Sequence, residues 1–450
     1  TKTLGCFQIE SPGQRELIGK FAPVSFGDLI TDISLFRPGP VKSDMITPFL
    51  RARQGWGLTD YMHPDLKEIL TETSGVVVFH EQVMRIVSVM TGCSLEAADL
   101  IRRRMGDYEQ LDEIREWFYK ALQSRNYELS VIEQVWDVLR AFASFGFCKA
   151  HAAAFALPTY QSAWFKTHHP AAFLAGVLTH DPGMYPKRLI ADDARSFGVE
   201  ILGLDVNASK DTYLVELTNS GSQGIRIPLS EVKGISEQEV ADIISAQPYS
   251  SLADFVIRSK ASRPIVERII LAGGFDALHD PLVSRRDLLF HAAELSAELK
   301  LKRTARSRIG NQISLGMQET AWIPEPTGLP ALSLADRVKY EIEVLGIDVS
   351  AHVMSFYRQM LIELNAVPAD HLLTVRSQSS VLIAGVKVAT QTPPIRSGRR
   401  VAFITLEDST GPIDAAFFEE AQDQYAATLF HSWLLLVSGT VRRTGPRGVS

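Results

Sequence analysis

The sequence predicts a multidomain, mainly α-helical protein that ends in a small β-barrel. Three observations support this fold class. Apolar residues recur at helical spacing through most of the first 200 residues, two glycine-containing helix junctions follow, and from about residue 380 apolar and polar residues alternate. We therefore predict four regions, at residues 1–200, 201–285, 286–372 and 373–450.

The composition is that of an ordinary globular protein. The chain has 450 residues, of which 46% are hydrophobic and 22% charged, with a formal net charge of −6. No apolar run approaches the roughly 18 residues of a membrane span, so we expect no membrane partner. The cysteines are few, far apart and without a CxxC pair, which is typical of a reducing compartment and offers no zinc site. Because the chain starts without Met, we expect it to be a piece of a longer protein.

Helices in the first region can be placed from their caps and apolar spacing. "HPDLKEILTETSG" is expected to be helical up to Gly75, "VVVF" (76–79) is β-prone, and "HEQVMRIVSVMTG" has helical spacing. Ser94 is expected to cap the next helix, whose buried side would contain Leu95, Ala98, Ile101 and Met105.

Three successive arginines, Arg102 to Arg104, end this helix pattern. A guanidinium is always charged, and its planar fork of donors matches phosphate. Neighbouring side chains on a helix diverge by about 100°, so the three cannot face one ligand together. A solvated helix face is the alternative explanation.

Two glycine-containing helix junctions follow in the second region. "EVKGISEQEVADII" places Lys233, Gly234 and Ser236 before a helix, and "RPIVERIILAGGFDAL" runs into Gly273 and Gly274. The pair resembles a tandem helix-hairpin-helix, in which backbone N–H groups contact DNA phosphate without reading sequence. The alternative is that the glycines only end helices.

The last region alternates with a period of two. "RVAFITLEDSTGPIDAAFF" contains turn residues at 408–411 and looks like part of an OB-fold, truncated here. OB-folds often bind single strands on a basic, aromatic face, for which Arg399 and Arg400 are candidates. Charged strand ends that are merely solvated are the alternative.

Five motifs in series resemble the fingers region of bacterial family C DNA polymerases, the DnaE-type α subunit of DNA polymerase III. They are "FQIESPGQRELI" (7–18), "LFRPGPVKSDMI" (35–46), "FHEQVMRI" (79–86), "ADLIRRRMG" (98–106) and "FGFCKAHAAAFALPTYQSAWFK" (145–166). The helix-hairpin-helix pair and the OB-fold follow in the order of that family, so the resemblance covers nearly the whole chain.

The resemblance implies roles for particular residues. Arg102, Arg103, Lys149 and His151 match positions at the incoming nucleotide, whereas Arg104 is expected to be merely solvated. Arg37 and Lys42, which flank the Pro38–Pro40 turn, would contact primer–template phosphate.

The sequence also departs from the family. The palm domain, whose three aspartates would bind Mg²⁺, lies upstream of the "FQIES" motif and is absent here, so this piece alone is expected to contain no catalytic residue, to bind no metal and to be inactive. The expected sliding-clamp peptide is degenerate: Gln312, Ile313 and Leu315 are present, but Gly316 replaces the aromatic anchor. This departure, with Cys148 and Ala150, favours an accessory or error-prone member.

We therefore expect part of a DNA-directed DNA polymerase, a nucleotidyltransferase, that binds dNTP and primer–template DNA. The clamp and other polymerase subunits are further candidate partners, and the bacterial cytoplasm at the nucleoid is the expected location. A non-catalytic DNA-binding adaptor is the alternative, but it leaves the motifs of residues 7–166 unexplained.

Overall fold

Helices dominate the first half of the chain, and a small antiparallel sheet closes it, as the sequence predicts. The computed structural model describes residues 2–35, 46–55, 59–143, 147–181, 183–308, 324, 326–392, 400–443, 445 and 447–449. No helix within these ranges combines the length and apolar character needed to cross a membrane.

Helices α1 to α11 form the first region. Their bounds are α1 (Pro12–Phe21), α2 (Phe26–Leu35), α3 (Ile46–Arg53), α4 (Lys67–Leu70), α5 (His80–Thr91), α6 (Leu95–Arg104), α7 (Leu111–Ser124), α8 (Leu129–Ala143), α9 (Lys149–His168), α10 (Pro170–Thr179) and α11 (Lys187–Ser196).

The segment before α5 differs from its sequence pattern. The predicted helix up to Gly75 is divided into α4 and short 3₁₀ turns on either side of it. The β-prone run 76–79 forms only an isolated bridge between Phe79 and Phe147. The reason is that the N–H groups of Val78 and Phe79 donate to the side-chain oxygen of Gln82, at 2.8 and 3.0 Å, instead of to a neighbouring strand.

Helix α6 begins as predicted, because the Ser94 hydroxyl accepts the N–H of Ala97 at 3.3 Å. Its buried side contains Ala98 and the adjoining Met105, but Leu95 is 57% exposed. The prediction that Leu95 is buried was therefore wrong. A first-turn position has no preceding helical turn to pack beside it, so apolar spacing alone places it poorly.

The second region adds a small mixed sheet to the predicted helices. Strand β3 lies between β1, which is parallel to it, and β2, which is antiparallel. The elements are β1 (Glu200–Leu202), β2 (Leu214–Leu217), β3 (Gln223–Arg226), α12 (Glu237–Ser245), α13 (Leu252–Arg258), α14 (Arg263–Leu271) and α15 (Arg285–Arg308). Apolar residues of α10 and α11 share one buried core with this sheet and with α12 to α15.

The last part of the chain is a curled four-stranded antiparallel sheet in the order β6-β5-β4-β7. The predicted turn at 408–411 joins β5 to β6, with Glu407 opposite Pro412. The third predicted region, residues 286–372, is called the connector. The remaining elements of the connector and of the terminal region are α16 (Leu334–Leu345), α17 (Arg358–Glu363), β4 (Ser380–Gln391), β5 (Ala402–Glu407), β6 (Pro412–Phe417), α18 (Glu419–His431) and β7 (Leu434–Thr440).

A buried polar cluster joins this sheet to the rest of the protein. The Nε2 atom of His352, which lies in the connector, is 2.5 Å from Glu407 of β5 and 3.5 Å from Asp192 of α11. The Nδ1 atom accepts the N–H of Met354 at 3.1 Å, so we assign the ring proton to Nε2, which donates to Glu407. One imidazole thus bridges two buried carboxylates from different regions.

We expect His352→Ala to destabilise the protein by about 3–5 kcal/mol, because it removes the donor to buried Glu407 and the ring that lies beside buried Asp192. The measurement is urea unfolding followed by circular dichroism. His371→Ala is the matched control, since the His371 side chain is 66% exposed and pairs only with exposed Asp370. Equal unfolding midpoints for the two variants would show that the cluster does not hold the sheet in place.

Candidate functional site

The three arginines at the end of α6 fall into two groups. Asp99, one turn earlier on the same helix, accepts Arg102 through Nε and Nη2 at 3.0 and 2.9 Å. Its other oxygen accepts Arg103 through Nε at 2.9 Å and lies 2.8 Å from Arg103 Nη2. Arg104 turns away to Gln110 and Glu113, at 2.7 and 2.9 Å. Arg102 and Arg103 therefore lie side by side, apart from Arg104.

The carboxylate between the two arginines is ionised at neutral pH. Hydrogen bonding from Arg102, with a smaller contribution from Arg103, lowers the pKa of Asp99 below its usual value. The Arg103 side chain is 71% exposed, whereas that of Arg102 is 20% exposed. Arg103 is therefore open to solvent, and Arg102 lies half-buried beside it.

Lys149 is the first residue of α9 and is fixed by Glu81 of α5. Its backbone N–H donates to both Glu81 carboxylate oxygens at 3.0 Å, and the Cys148 thiol approaches the same carboxylate at 3.3 Å. Partial burial of Glu81 raises its pKa, but the hydrogen bonds that the carboxylate accepts, first among them that of the Lys149 N–H, lower the Glu81 pKa overall. The Lys149 ammonium lies 2.6 Å from Glu72.

His151 lies on the same helix turn among aromatic rings. Its ring centroid is 5.1 Å from that of Phe147 and 4.4 Å from that of Phe155. Phe155 in turn stacks on Phe7, of the "FQIES" motif, at 5.6 Å. His151 is exposed, so its ring is held by aromatic packing while its edge remains accessible.

The first glycine junction lies exposed at the start of α12. Lys233, Gly234 and Ser236 are exposed, and Gly234 has a φ of +79° that favours glycine. Ser236 caps α12 in a reciprocal capping box with Glu239. Partial burial of Glu239 raises its pKa, but the N–H donors of Ser262 and Ser236 have the larger combined effect and lower the pKa to about 2.

The second glycine pair is used within the fold. The N–H groups of Gly273 and Gly274 donate to carbonyls of Ile270 and Ile269, at 3.0 and 2.8 Å, and end α14. Both glycines are buried, and Arg285 lies against Gly273. Their assignment to DNA phosphate stays a prediction of the sequence alone.

The remaining candidates are spread over the chain. Arg400 is described and exposed beside the start of β5. The other predicted residues lie outside the described ranges: Arg37, Lys42, Gln312, Ile313, Leu315 and Arg399.

One group of described residues has atoms close enough to share a metal ion: Asp192, His352 and Glu407, all within 4.8 Å. It does not fit Mg²⁺, which prefers oxygen ligands and retains several waters, because the cluster is buried and uses a ring nitrogen. Coordination through Nε2 would also require a proton on Nδ1, which faces the N–H of Met354. Arg188 and Arg195 pair with the acidic groups around it.

Two unforeseen residues, Asp99 and Glu81, position the predicted ones. Asp99 precedes Arg102 and Arg103 by three and four residues, a spacing at which helical side chains pair, so the sequence contained this signal. Glu81 and Lys149 are 68 residues apart, and no local pattern connects them.

Three family models match the chain, and two of them indicate nucleic-acid binding. Residues 1–126 match the bacterial DNA polymerase III alpha subunit finger domain, residues 198–288 a helix-hairpin-helix motif, and residues 381–450 an OB-fold nucleic acid binding domain.

Curated relatives agree along nearly the whole chain. The chain is 34% identical to an error-prone DNA polymerase of Symbiobacterium thermophilum, over 95% of the chain and 43% of the relative. It is 30% identical to the DNA polymerase III subunit alpha of Vibrio cholerae, over 98% and 39%. An error-prone DNA polymerase of Nocardia farcinica is 33% identical, over 98% and 38%.

These matches, over nearly the whole chain, support a DnaE-type fragment, similar to bacterial DNA polymerase III alpha subunits and error-prone DNA polymerases. The chain spans about two fifths of the length of these curated relatives.

We expect Glu81→Ala to lower the thermal midpoint, because it removes charged acceptors from the N-terminus of α9. The Glu81 pKa is lower in the folded protein, so its stabilisation is complete above the unfolded pKa of about 4.3 and is lost as the pH falls through the folded value. Melting curves from pH 7 to pH 3 should therefore converge for wild type and variant. Glu72→Ala, which removes only an exposed partner of Lys149, should shift the midpoint little. A constant gap at all pH values would contradict a role for the Glu81 charge.

Proposed function

We propose that this chain is the fingers-to-OB-fold part of a DNA-directed DNA polymerase. The reaction would be template-directed transfer of a nucleotide from dNTP to a primer 3′-OH, in replication, repair or translesion synthesis. The observation that carries the proposal is the paired guanidinium surface of Arg102 and Arg103, within a segment that matches a polymerase finger domain.

The proposed role of the arginines is electrostatic. Nucleotidyl transfer places negative charge on the triphosphate, and positioned guanidiniums stabilise that charge as pyrophosphate leaves. Lys149 and His151 would act at the same nucleotide. Helix α5 supports this grouping: α6 packs against it after the short turn 92–94, and Glu81 in its first turn holds Lys149.

The later regions would bind the DNA. At the first hairpin, Lys233, Gly234 and Ser236 would contact a duplex phosphate without reading the bases. Arg400 and the OB-fold sheet would bind single-stranded template. We keep Arg37, Lys42 and Arg399 as proposed DNA contacts on the sequence resemblance alone.

The proposed enzyme needs residues outside this chain. The family resemblance implies that aspartates of a palm domain hold Mg²⁺, which supplies the activation of the primer hydroxyl and the binding of the triphosphate. We therefore propose that the 450-residue chain alone does not extend primers. A polymerase acts on the chromosome, so we propose the bacterial cytoplasm at the nucleoid as its location.

The contacts with other proteins are also proposals. Gln312, Ile313 and Leu315 would give at most weak binding to a sliding clamp, since the peptide has no aromatic anchor. This favours an error-prone or accessory role. Two of the relatives described above are named error-prone DNA polymerases.

We expect Arg103→Ala to lower kcat/KM for dNTP by about 100-fold, because a donor to the developing charge is lost. The measurement is primer extension by the full-length polymerase that contains this segment, across nucleotide concentration. Affinity for primer–template should stay unchanged.

Arg104→Ala is the matched control, since Arg104 is tied to Gln110 and Glu113 and should lose little activity. Equal kinetics for Arg103→Ala and wild type would favour the alternative that the three arginines only form a solvated helix face. Failure of the intact polymerase to extend any primer would instead favour the non-catalytic adaptor.

We expect Lys233→Ala to weaken duplex DNA binding for all sequences alike and to reduce the slope of log K against log [salt] by about 0.9. Fluorescence anisotropy of the 450-residue chain at several salt concentrations measures both quantities. Lys339→Ala is the control with the same change of charge, since the Lys339 side chain is exposed on α16. Identical slopes for wild type and Lys233→Ala would exclude a phosphate contact at this hairpin.

A further inference from the structure

A single carboxylate fixes both arginines of the proposed nucleotide site. One oxygen of Asp99 accepts Nε and Nη2 of Arg102, and the other accepts Nε of Arg103 and lies 2.8 Å from its Nη2; the four distances lie between 2.8 and 3.0 Å. An ordinary surface ion pair joins two flexible side chains. Here one short side chain restrains two long ones at once, and it does so from within the same two helical turns.

The two guanidiniums keep free donors in this arrangement. A guanidinium has five N–H groups, and the contacts with Asp99 use the edge formed by Nε and Nη2. The outer edge, formed by Nη1 and the second hydrogen of Nη2, is not used by Asp99. Each arginine can therefore donate to a phosphate in bidentate fashion while it stays bound to the carboxylate.

The net charge of the cluster also favours phosphate binding. The two arginines and Asp99 together have a net charge of +1, so the cluster remains attractive to a polyanion. Arg104 differs, because Glu113 alone balances its charge at 2.9 Å. The chain thus offers two pairings of arginine with carboxylate on the same surface, only one of which lies in the proposed site.

We propose that Asp99 is a positioning residue, which holds Arg102 and Arg103 side by side so that their outer edges can bind phosphate groups of one nucleoside triphosphate. The proposal rests on the proposed function of the two arginines. Restraint before binding matters because each long side chain that must be immobilised during binding costs affinity. Asp99 would make no contact with the nucleotide itself.

A masking role for Asp99 predicts the opposite effect on nucleotide affinity from a positioning role. If Asp99 merely masked the arginines, its removal would release two cations and tighten nucleotide binding. If Asp99 positions them, its removal weakens binding even though the local positive charge increases. Asp99→Asn separates these cases, since it keeps the size of the side chain while removing the charge that accepts both guanidiniums.

The experiment is steady-state primer extension with Asp99→Asn in the full-length polymerase, with dATP as the varied nucleotide. We expect the KM for dATP to rise about five- to tenfold, because two arginine side chains must then be ordered when the nucleotide binds. The change in kcat should be smaller. Asp99→Glu, which keeps the charge on a longer stem, should recover part of the loss. Because Asp99 is a surface residue, the near-UV circular dichroism should match that of the wild type.

Glu113→Gln is the matched control, since it makes the same change of charge beside Arg104 and should leave the KM within about twofold of wild type. An unchanged or lower KM in Asp99→Asn would overturn the proposal, and so would an equal rise in Glu113→Gln. Arg103→Ala in the same assay distinguishes failure of the positioning role of Asp99 from failure of the nucleotide site. If Arg103→Ala loses activity and Asp99→Asn does not, only the positioning role fails, whereas if neither has an effect, the nucleotide site itself fails.

Discussion

Helix α11 brings charged side chains into the protein interior, and the arrangement of the regions depends on how they are paired. A buried charge is costly unless a partner of opposite sign lies beside it, so each pairing fixes a neighbouring segment. The pairs run to α9, to the segment before α12, and to the connector before β4. The ion pairs are Lys166–Asp193, Lys187–Glu231 and Arg188–Asp348, and the His352 ring lies 3.5 Å from Asp192. His352 then reaches Glu407 of β5, so the chain of pairs extends from the fingers to the terminal sheet.

The same constraint reaches the candidate nucleotide site through α9. Lys166, near the end of that helix, is 1% exposed and also donates to the carbonyl of Leu4 at 2.6 Å. Lys149 lies at the other end, roughly 26 Å away along the axis. Because Glu81 holds the first turn and Asp193 the last, α9 is fixed at both ends. The position of Lys149 and His151 therefore depends on contacts far from the nucleotide they would bind.

Local signals in the sequence were sufficient for much of the fold and for part of the site. Ser94 and Ser236 mark true helix starts, and the turn at 408–411 joins β5 to β6. The β-prone run 76–79 was mistaken for a strand because a buried amide, that of Gln82, takes its N–H groups. The contacts that orient the site, such as Glu81 with Lys149, join residues distant in the chain, and a periodic pattern contains no information about them.

The location of the arginines also explains how a cluster of cations is stable without a ligand. Arg102 to Arg104 occupy the last turn of α6, where the helix dipole presents negative charge. Asp99 and Glu113 balance two of the three guanidiniums. The free protein therefore holds the cluster without strong repulsion, and one positive charge remains unbalanced beside exposed donors. A triphosphate would add partners to donors already in place, so that its binding requires little rearrangement of the helix that presents them.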